Sequence, residues 1–339
     1  MPKKILSVSI ACYNLGSLIE ECLDSFLKEK EVYNQLELLV VDDGSTDDIT
    51  VEKVKRYVEK YPSTVRLIQQ KNSGPGATVN NGIKHATGKY FRMVDGDDWV
   101  DSDALKKLIQ KLSKINSDMV VANYKTYSEK LGKITHIFKP NNLKNGKEIQ
   151  LEDFEYDYNP PIRMHNTIYK TEILQKNKIT LDDGFYTDLE YLLFPTPYVK
   201  TMTYFDLDLY IYRQALGDQS TSPNKLIQNR PKHKEIMDHL VKYAEDNKDK
   251  IHPNIYKYLV RQIAGCLVTH VDVLLLIGNK NLIKDLKKYF KDIKDNHPDF
   301  YPAFLIDKKT RLLKNSHFLL AYPFSIYLKI EYFYFIIFI

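Results

Sequence analysis

The sequence is poor in cysteine, and its three cysteines follow no pattern that would organise a fold. Cys12, Cys22 and Cys266 are odd in number, and no two of them have the CxxC spacing of zinc sites and redox motifs. A disulfide framework and a structural zinc site are therefore not expected. This use of cysteine is typical of a reducing cytoplasm, which is where we expect the chain to work.

An excess of one charge sign is also almost missing. Lysine and arginine exceed aspartate and glutamate by only 49 − 44 = 5, and the lysines are scattered among acidic residues. Nucleic-acid binders concentrate positive charge in a stripe, so we expect no nucleic-acid partner. Charged residues make up 27% and hydrophobic residues 43% of the 339 residues, which is typical of a folded protein with one large domain and a smaller appendage.

Long hydrophobic runs are missing near both ends. The first apolar stretch is too short for a signal peptide and is better explained as a buried strand. The aromatic segment from Phe318 to Ile339 is interrupted by Pro323, Lys329 and Glu331, and the remaining run from Tyr332 to Ile339 is too short to cross a bilayer. Three alternatives stay open for this segment: a peripheral membrane contact aided by nearby lysines, a docked helix, or a homo-oligomer contact.

Strand and helix patterns alternate over roughly the first 120 residues, which predicts an α/β fold. The β-branched and apolar runs that indicate strands are Ile5 to Ala11, Leu36 to Val41, Val65 to Ile68, Tyr90 to Val94 and Met119 to Ala122. We expect a mostly parallel central sheet flanked by helices, similar to a Rossmann fold, with Ser45 or Thr46 capping the helix after the second strand. From about residue 224 the pattern is helical, so we divide the chain into residues 1–220 and a helical region of residues 221–339.

Polar, acidic and glycine-rich segments follow the strands of this expected sheet. They are Tyr13-Asn14, Asp42-Asp43, Asn72 to Gly76, and Asp95 to Asp98. Ligands of parallel α/β sheets bind at the carboxyl ends of the strands, so these segments predict a shared ligand site. The glycine-rich segment matches neither GxxxxGK[ST] nor GxGxxG, which argues against a P-loop and a dinucleotide fingerprint.

The turn Asp95-Gly96-Asp97-Asp98 is the sharpest chemical signal. Three carboxylates within four residues repel one another unless a cation or hydrogen-bond donors offset the charge, and such hard oxygen ligands suit Mg²⁺ or Mn²⁺ bridging to phosphates. A solvated turn that caps the next helix is the alternative, and Asp101 and Asp103 are expected to be caps of this kind. The pair Asp42-Asp43 could also indicate a phosphoryl-accepting receiver domain, but the third and fifth strands lack the further aspartate and lysine which that fold needs.

Four segments in order, at the right spacing, resemble family 2 glycosyltransferases of GT-A fold, particularly bacterial enzymes that make surface polysaccharides. They are SVSIACYN, Val40 to Thr50, NSGPGATVNNGIKHATGKY and FRMVDGDDWV, and the resemblance covers residues 5 to about 125. It implies that Ala11, Tyr13, Asn14, Asp42 and Asp43 hold the nucleotide, usually uridine, and that Asn72, Gly74 and Asn80 line the donor pocket. Asp95 to Asp97 matches the DxD motif, with Asp95 near the ribose and donor sugar, Asp97 as the direct metal ligand, and Asp98 contacting the sugar or sharing the metal.

The resemblance also implies a catalytic base and a diphosphate contact further along the chain. Asp188 fits the position of the base, although Thr187 replaces the glutamate usual before it and Glu190 competes for the role. Arg213 is expected to neutralise the leaving diphosphate, and Gln219, within Asp218-Gln219-Ser220, to line the acceptor site. The processive signature QxxRW is absent from the sequence, so one sugar is expected to be added per encounter.

The function implied is inverting transfer of a hexosyl or N-acetylhexosaminyl group from a nucleotide-sugar donor, with a UDP-sugar favoured, to a saccharide or lipid-linked acceptor. Mn²⁺ or Mg²⁺ would be the cofactor, and the site of action the cytoplasm or the inner face of the cell membrane. A non-catalytic partner subunit of another glycosyltransferase is the alternative, which intact Asp95 and Asp97 argue against. A nucleotidyltransferase would need a glycine-rich, basic N-terminal signature, which SIACYNLGS lacks.

Overall fold

The computed structural model describes residues 4–154, 162–182, 187–214 and 223–338, and in the last range it describes side chains from 224 to 331. The chain forms two compact units, Met1–Gln214 and Ala215–Ile339. The division falls a few residues before the boundary expected from the sequence.

The first unit is built on a single sheet. Its strands in chain order are β1 (Leu6–Cys12), β2 (Leu36–Asp42), β3 (Val65–Gln69), β4 (Tyr90–Asp95), β5 (Trp99–Val100), β6 (Met119–Ser128), β7 (Lys133–Phe138), β8 (Glu148–Gln150), β9 (Thr167–Lys170) and β10 (Thr201–Gln214). The order across the sheet is β3-β2-β1-β4-β9-β6-β10-β5, with β7 paired to β6 and β8 to β10. The strands β3-β2-β1-β4 are parallel, as are β6 and β10, while β9 is antiparallel to both of its neighbours. The expected mostly parallel α/β sheet is confirmed.

Helices cover the sheet because β1 and β2 are apolar on both faces and almost fully buried. The helices of this unit are α1 (Leu18–Phe26), α2 (Asp48–Lys60), α3 (Pro75–His85), α4 (Ser102–Leu112), α5 (Thr171–Lys176) and α6 (Thr187–Leu193). Asp101 caps α4 as expected, by accepting a hydrogen bond from Ala104 N at 3.0 Å. The cap expected for α2 is wrong: Asp47 accepts from Thr50 N at 3.3 Å, since Ser45 and Thr46 are engaged by Asn14.

Strand register brings the acidic strand ends to the same edge of the sheet. Cys12 of β1 is paired with Asp42 of β2, and the preceding residue of β1, Ala11, is paired with Asp95 of β4. Since neighbouring strands lie about 4.8 Å apart, the two aspartates flank the end of β1 at about twice that spacing. The segments predicted to form a ligand site therefore lie at one edge.

The second unit is helical, as expected. It consists of α7 (Pro223–Gln228), α8 (Arg230–Asn247), α9 (Pro253–Ile277), α10 (Leu282–Asn296), α11 (Phe300–Phe304), α12 (Lys308–Asn315) and α13 (Ala321–Phe338). Among the described residues, α9 is the one helix long and apolar enough to cross a membrane, but 67% of its apolar stretch is buried inside the protein, and core helices meet the same criterion. Helix α13 packs on α9, where Ser325 Oγ donates to Leu275 O at 2.6 Å.

Candidate active site

The turn after β1 is tied to the turn after β2 by one asparagine. Asn14 has a left-handed backbone with φ 49°, which asparagine tolerates better than most residues. Its Oδ1 accepts hydrogen bonds from Thr46 N at 2.7 Å and Asp47 N at 3.2 Å. Tyr13 beside it is 46% exposed, so its ring is available to a ligand.

Asp43 fixes the glycine-rich loop that precedes α3. Its Oδ1 accepts from Ser73 N at 2.8 Å and Gln70 Nε2 at 2.7 Å, and its Oδ2 accepts from Gly74 N at 2.9 Å. Gly74 has φ +88°, a conformation that favours glycine. Asp42 is buried and accepts from Ser45 N at 3.1 Å. In this structure the acid pair shapes the loop that contains Asn72 and Gly74; its contact with a nucleotide remains a prediction.

Asn80 joins α3 to the chain segment leading to α6. Its side-chain amide donates to Leu181 O and accepts from Leu181 N, both at 2.8 Å. At the start of the same helix, a Cβ on Gly76 would lie 1.8 Å from Asp182 O, so only glycine fits this close approach. The structure therefore gives Asn80 a supporting contact, and its expected place in the donor pocket is still a prediction.

The acidic turn is held against β1 and β10. Gly96 N donates to Ala11 O at 3.0 Å, and Tyr210 OH donates to Asp98 Oδ2 at 2.5 Å. Asp98 Oδ1 accepts from Arg213 N at 2.7 Å, and the Asp98 side chain is 1% exposed. Both oxygens of Asp98 are thus engaged by the protein, which gives this residue a positioning role; its expected contact with sugar or metal remains a prediction.

The remaining carboxylates of the site repel one another. Burial, the nearby Asp97 and the nearby Asp188 raise the pKa of Asp95 to about 7. Burial also raises the pKa of Asp97, while Arg213 opposes the shift. Buried like charges of this kind are relieved by a cation, and hard carboxylate oxygens suit Mg²⁺ and Mn²⁺. The residues present therefore fit a divalent metal, which Asp95 would help to hold; the expected role of Asp97 as its direct ligand remains a prediction.

Asp188 lies at the start of α6 and interacts electrostatically with the acidic turn. Burial raises its pKa, and Arg163 and backbone N–H groups at the start of α6 oppose the shift. The competitor Glu190 is buried and accepts from Asp182 N at 2.7 Å, so it is used in holding the preceding segment. This arrangement favours Asp188 as the group that faces substrate. Gly184, Phe185 and Tyr186 of the motif lie outside the described residues.

Arg213 supports the acidic turn in this structure. Its Nε donates to Asp97 O at 2.6 Å, and its terminal nitrogens contact Glu21 and Glu129. The guanidinium also lies over the Trp99 ring, 4.4 Å from the centroid. The side chain is buried, so its expected contact with a diphosphate remains a prediction. Asp218, Gln219 and Ser220 lie outside the described residues.

His165 is a residue of the site that the sequence analysis missed. A ring nitrogen of His165 and carboxylate oxygens of Asp95 and Asp98 all lie within 4.8 Å of one another, close enough to share a cation. Burial lowers the pKa of His165 to about 3, so the ring is neutral at physiological pH. No strand signal precedes it, and its region looked irregular in sequence, so only the fold could bring it here.

Comparison with known proteins identifies the class to which this fold and site belong. The sequence description of glycosyl transferase family 2 matches residues 7–177, half of the chain. The chain belongs to this family and is a glycosyltransferase, which confirms the resemblance noted in the sequence.

The individual relatives have low sequence identity to this chain. The glycosyltransferase GlyG of Streptococcus pneumoniae is 26% identical over 300 residues, covering 84% of this chain and 88% of GlyG. The poly(ribitol-phosphate) beta-glucosyltransferase of Bacillus spizizenii is 32% identical over 178 residues, covering 52% of this chain and 26% of that protein. The chain spans less than a third of two of the first curated relatives it matches. S. aureus TarS 1-349, solved with UDP-GlcNAc, has the same fold, with a TM-score of 0.66, 20% identity, and coverage of 95% of this chain and 90% of that one.

Proposed function

We propose that the chain transfers a hexosyl or N-acetylhexosaminyl group from a UDP-sugar to a saccharide or lipid-linked saccharide, with inversion, in the synthesis of a cell-surface polysaccharide. The observation that carries the proposal is the meeting of Asp95, Asp97 and Asp188 at the sheet edge that also holds Asp42 and Asp43. The relative bound to UDP-GlcNAc supports the donor class, and the relative named for poly(ribitol-phosphate) supports a polymeric surface acceptor. Three free, buried cysteines support a cytoplasmic site of action.

The nucleotide half of the site would be formed by the ends of β1 and β2. Asn14 and Asp43 hold two turns and the 72–74 loop in fixed positions, which leaves Tyr13 exposed above them. A rigid pocket of this kind loses little conformational entropy on binding. A divalent ion on Asp95 and Asp97 would supply positive charge to stabilise the leaving nucleoside diphosphate.

Asp188 would take the proton of the attacking acceptor hydroxyl. A carboxylate whose pKa is raised by burial is a stronger base than an exposed one, and the positive charge of Arg163 opposes this rise in the pKa of Asp188. Inversion requires a single in-line displacement, so the base must act from the acceptor side of the anomeric carbon. Asp98, Tyr210 and Arg213 hold the acidic turn in position.

The decisive experiment compares two acidic variants in a UDP-release assay with Mn²⁺ and a panel of UDP-, GDP- and TDP-sugars. Asp188→Asn is expected to lower turnover by about 10²- to 10⁴-fold while keeping Mn²⁺-dependent UDP binding, measured by thermal shift. Asp97→Asn is expected to weaken that binding itself. Exposed Asp103→Asn is the matched control and should match the wild-type enzyme in both measurements.

Full turnover by Asp188→Asn would refute the base assignment. With Asp188 as the base, Glu190→Gln should reduce stability and leave turnover per folded molecule unchanged, because Glu190 holds the segment before α6; a loss of turnover in Glu190→Gln would instead assign the base to Glu190. Lack of UDP release with every sugar nucleotide in the wild-type enzyme, alongside intact UDP binding, would favour the alternative of a non-catalytic partner subunit.

A further inference from the structure

Aromatic rings form a continuous file from the acidic turn to the β6–β7 hairpin. Tyr124 of β6 stacks on Phe138 of β7, with centroids 4.5 Å apart and planes 7° apart, and on His165 at 5.0 Å. His165 in turn contacts Tyr212 of β10 at 4.8 Å, and His136 lies 6.0 Å from Phe138. We call Tyr212, His165, Tyr124, Phe138 and His136 the aromatic tract.

Strand register explains why these rings share a face. Tyr210, Tyr124 and Phe138 are paired across β10, β6 and β7, and Tyr212, Thr126 and His136 form the next row on the same face. Side chains alternate between faces along a strand, so Ile137, which is paired with Lys125, points to the other face. The pairing of β10, β6 and β7 therefore places the rings of the aromatic tract on one face of the sheet.

The inner end of the tract reaches the reacting groups. Tyr210, which contacts His165 with centroids 4.9 Å apart, donates its hydroxyl to Asp98 at 2.5 Å. Asp95, Asp97, Asp98 and Asp188 all raise the pKa of Tyr212, although burial is the larger cause, so this side chain lies among the four carboxylates.

The outer end of the tract lies on the side of the sheet away from the nucleotide loops. Asp43 and the 72–74 loop belong to the β3-β2-β1 side of β4, whereas β6, β7 and β10 lie on its other side. A donor whose nucleotide occupies the first side and whose phosphates reach Asp95 leaves the tract to the second substrate. His136 is exposed there, and Phe138 is partly exposed.

We propose that the aromatic tract is the acceptor-binding surface and that Phe138 and His136 hold a pyranose ring of a saccharide acceptor. The C–H bonds on one face of a pyranose carry partial positive charge and fit the negative face of an aromatic ring. This inference rests on the proposed function and names the residues that would select the acceptor, which no sequence signal indicated.

The test measures saccharide binding to the enzyme already loaded with UDP and Mg²⁺. Cellobiose, lactose and N,N′-diacetylchitobiose serve as probes in saturation-transfer NMR. We expect at least one to bind the wild-type protein through its C–H face, and Phe138→Ala and His136→Ala to weaken that binding by about fivefold or more. Phe138→Trp should restore it, and Ile137→Ala, on the other face of the same strand, should bind as the wild-type protein does.

Two results would overturn the proposal: no binding of any probe by the wild-type enzyme, or equal binding by wild-type enzyme, Phe138→Ala and His136→Ala. Thermal shifts with UDP and Mn²⁺ check that the donor half of each variant is folded. Hydrolysis of the UDP-sugar without acceptor tests the proposed transferase function separately, because water needs no saccharide surface. Absence of UDP-sugar hydrolysis by the wild-type enzyme would therefore refute the proposed transferase function. Absence of saccharide binding alone would refute only the role of the aromatic tract.

Discussion

A single tyrosine hydroxyl connects the two outer aspartates of the acidic turn. Tyr210 OH donates to the Asp98 carboxylate at 2.5 Å and accepts from Asp95 N at 3.3 Å. Burial raises the pKa of Asp98 well above its usual range, and this hydroxyl together with Arg213 N opposes the rise. The turn therefore depends on a contact from a strand more than a hundred residues away.

Removing this hydroxyl should loosen the metal-binding turn. For Tyr210→Phe we expect a loss of about 1–3 kcal/mol in unfolding free energy and a clear weakening of Mn²⁺-dependent UDP binding, because a buried carboxylate loses its donor. Tyr169→Phe is the matched control: Tyr169 is equally buried, but its hydroxyl donates to the Leu192 carbonyl at 2.8 Å. Urea unfolding should show a loss of stability in both variants. Calorimetric titration with UDP and Mn²⁺ should show a binding defect only in Tyr210→Phe. Equal UDP binding would contradict this role.

The position of the acidic residues at the strand ends could be predicted from the sequence, but the side chains that contact them could not. Asp43, Asp95 and Asp97 follow apolar runs, so their place at the sheet edge could be predicted. Arg213 was expected on the diphosphate, but its contact with Asp97 O and the convergence of Glu21, Glu129 and Trp99 on its guanidinium from three distant elements were not predicted. Such convergence depends on packing, which one sequence does not reveal.

At the scale of elements, helices α8 and α9 bury a pair of parallel histidine rings. His233 and His270 have centroids 5.6 Å apart and planes 2° apart, and both side chains are under 5% exposed. Burial lowers the pKa of His233 to about 4 and of His270 to about 3. Both rings are therefore neutral in the folded unit, whereas in the unfolded chain they titrate near pH 6.5.

The helical unit should lose stability as the pH falls below 6.5. The unfolded chain then binds protons that the folded unit does not, so the unfolding free energy should drop by about 2 kcal/mol per histidine between pH 7 and pH 5. His270→Gln should reduce this dependence of the unfolding free energy on pH. The variant His252→Asn should not, and its amide oxygen can replace the Nδ1 with which exposed His252 caps α9. Urea unfolding at pH 7 and at pH 5 measures this change in unfolding free energy. If the unfolding free energy of His270→Gln depended on pH as strongly as that of the wild-type protein, the histidine pair would be excluded as the cause.

Apolar runs in the sequence predicted strands well. The five expected strands correspond to β1, β2, β3, β4 and β6, whose apolar residues are buried except in part of β3. The two-residue β5 is held by β10 and the four-residue β9 by β4 and β6, so no local pattern marks them. The helical pattern expected from about residue 224 is broken at Asn229, because Pro231 at the start of α8 has no N–H to continue α7.

At the scale of the whole molecule, the described part of the helical unit exposes several apolar side chains along one segment. Helix α13 buries Ala321 and Ser325, with Leu328 packed against the core beside them. The other side of this segment exposes Leu319, Tyr322, Ile326, Tyr327 and Ile330, and cationic side chains at 308, 311, 314 and 329 are also exposed. The membrane, docking and oligomer alternatives for this segment become testable on these side chains.

We expect this surface to bind anionic membranes peripherally. Wild-type protein should co-sediment with vesicles containing phosphatidylglycerol and dissociate at high salt, because apolar insertion and cationic attraction act together. The triple variant Leu319→Ser, Ile326→Ser, Ile330→Ser should stay in the supernatant. Ile134→Ser, an exposed apolar residue of β7, is the control. A wild-type dimer in light scattering that the triple variant abolishes, without vesicle binding, would assign the surface to self-association instead.

Helix α3 couples the two halves of the reaction mechanically. It starts at the loop gripped by Asp43, and through Asn80 and Gly76 it also touches the segment just before α6, where Asp188 stands. A helix that moves as one body and is attached at both places cannot shift at the 72–74 loop without also shifting at its contact with Leu181. If the nucleotide binds and the base acts where we propose, a displacement of the 72–74 loop would reach the segment before Asp188 through this one helix.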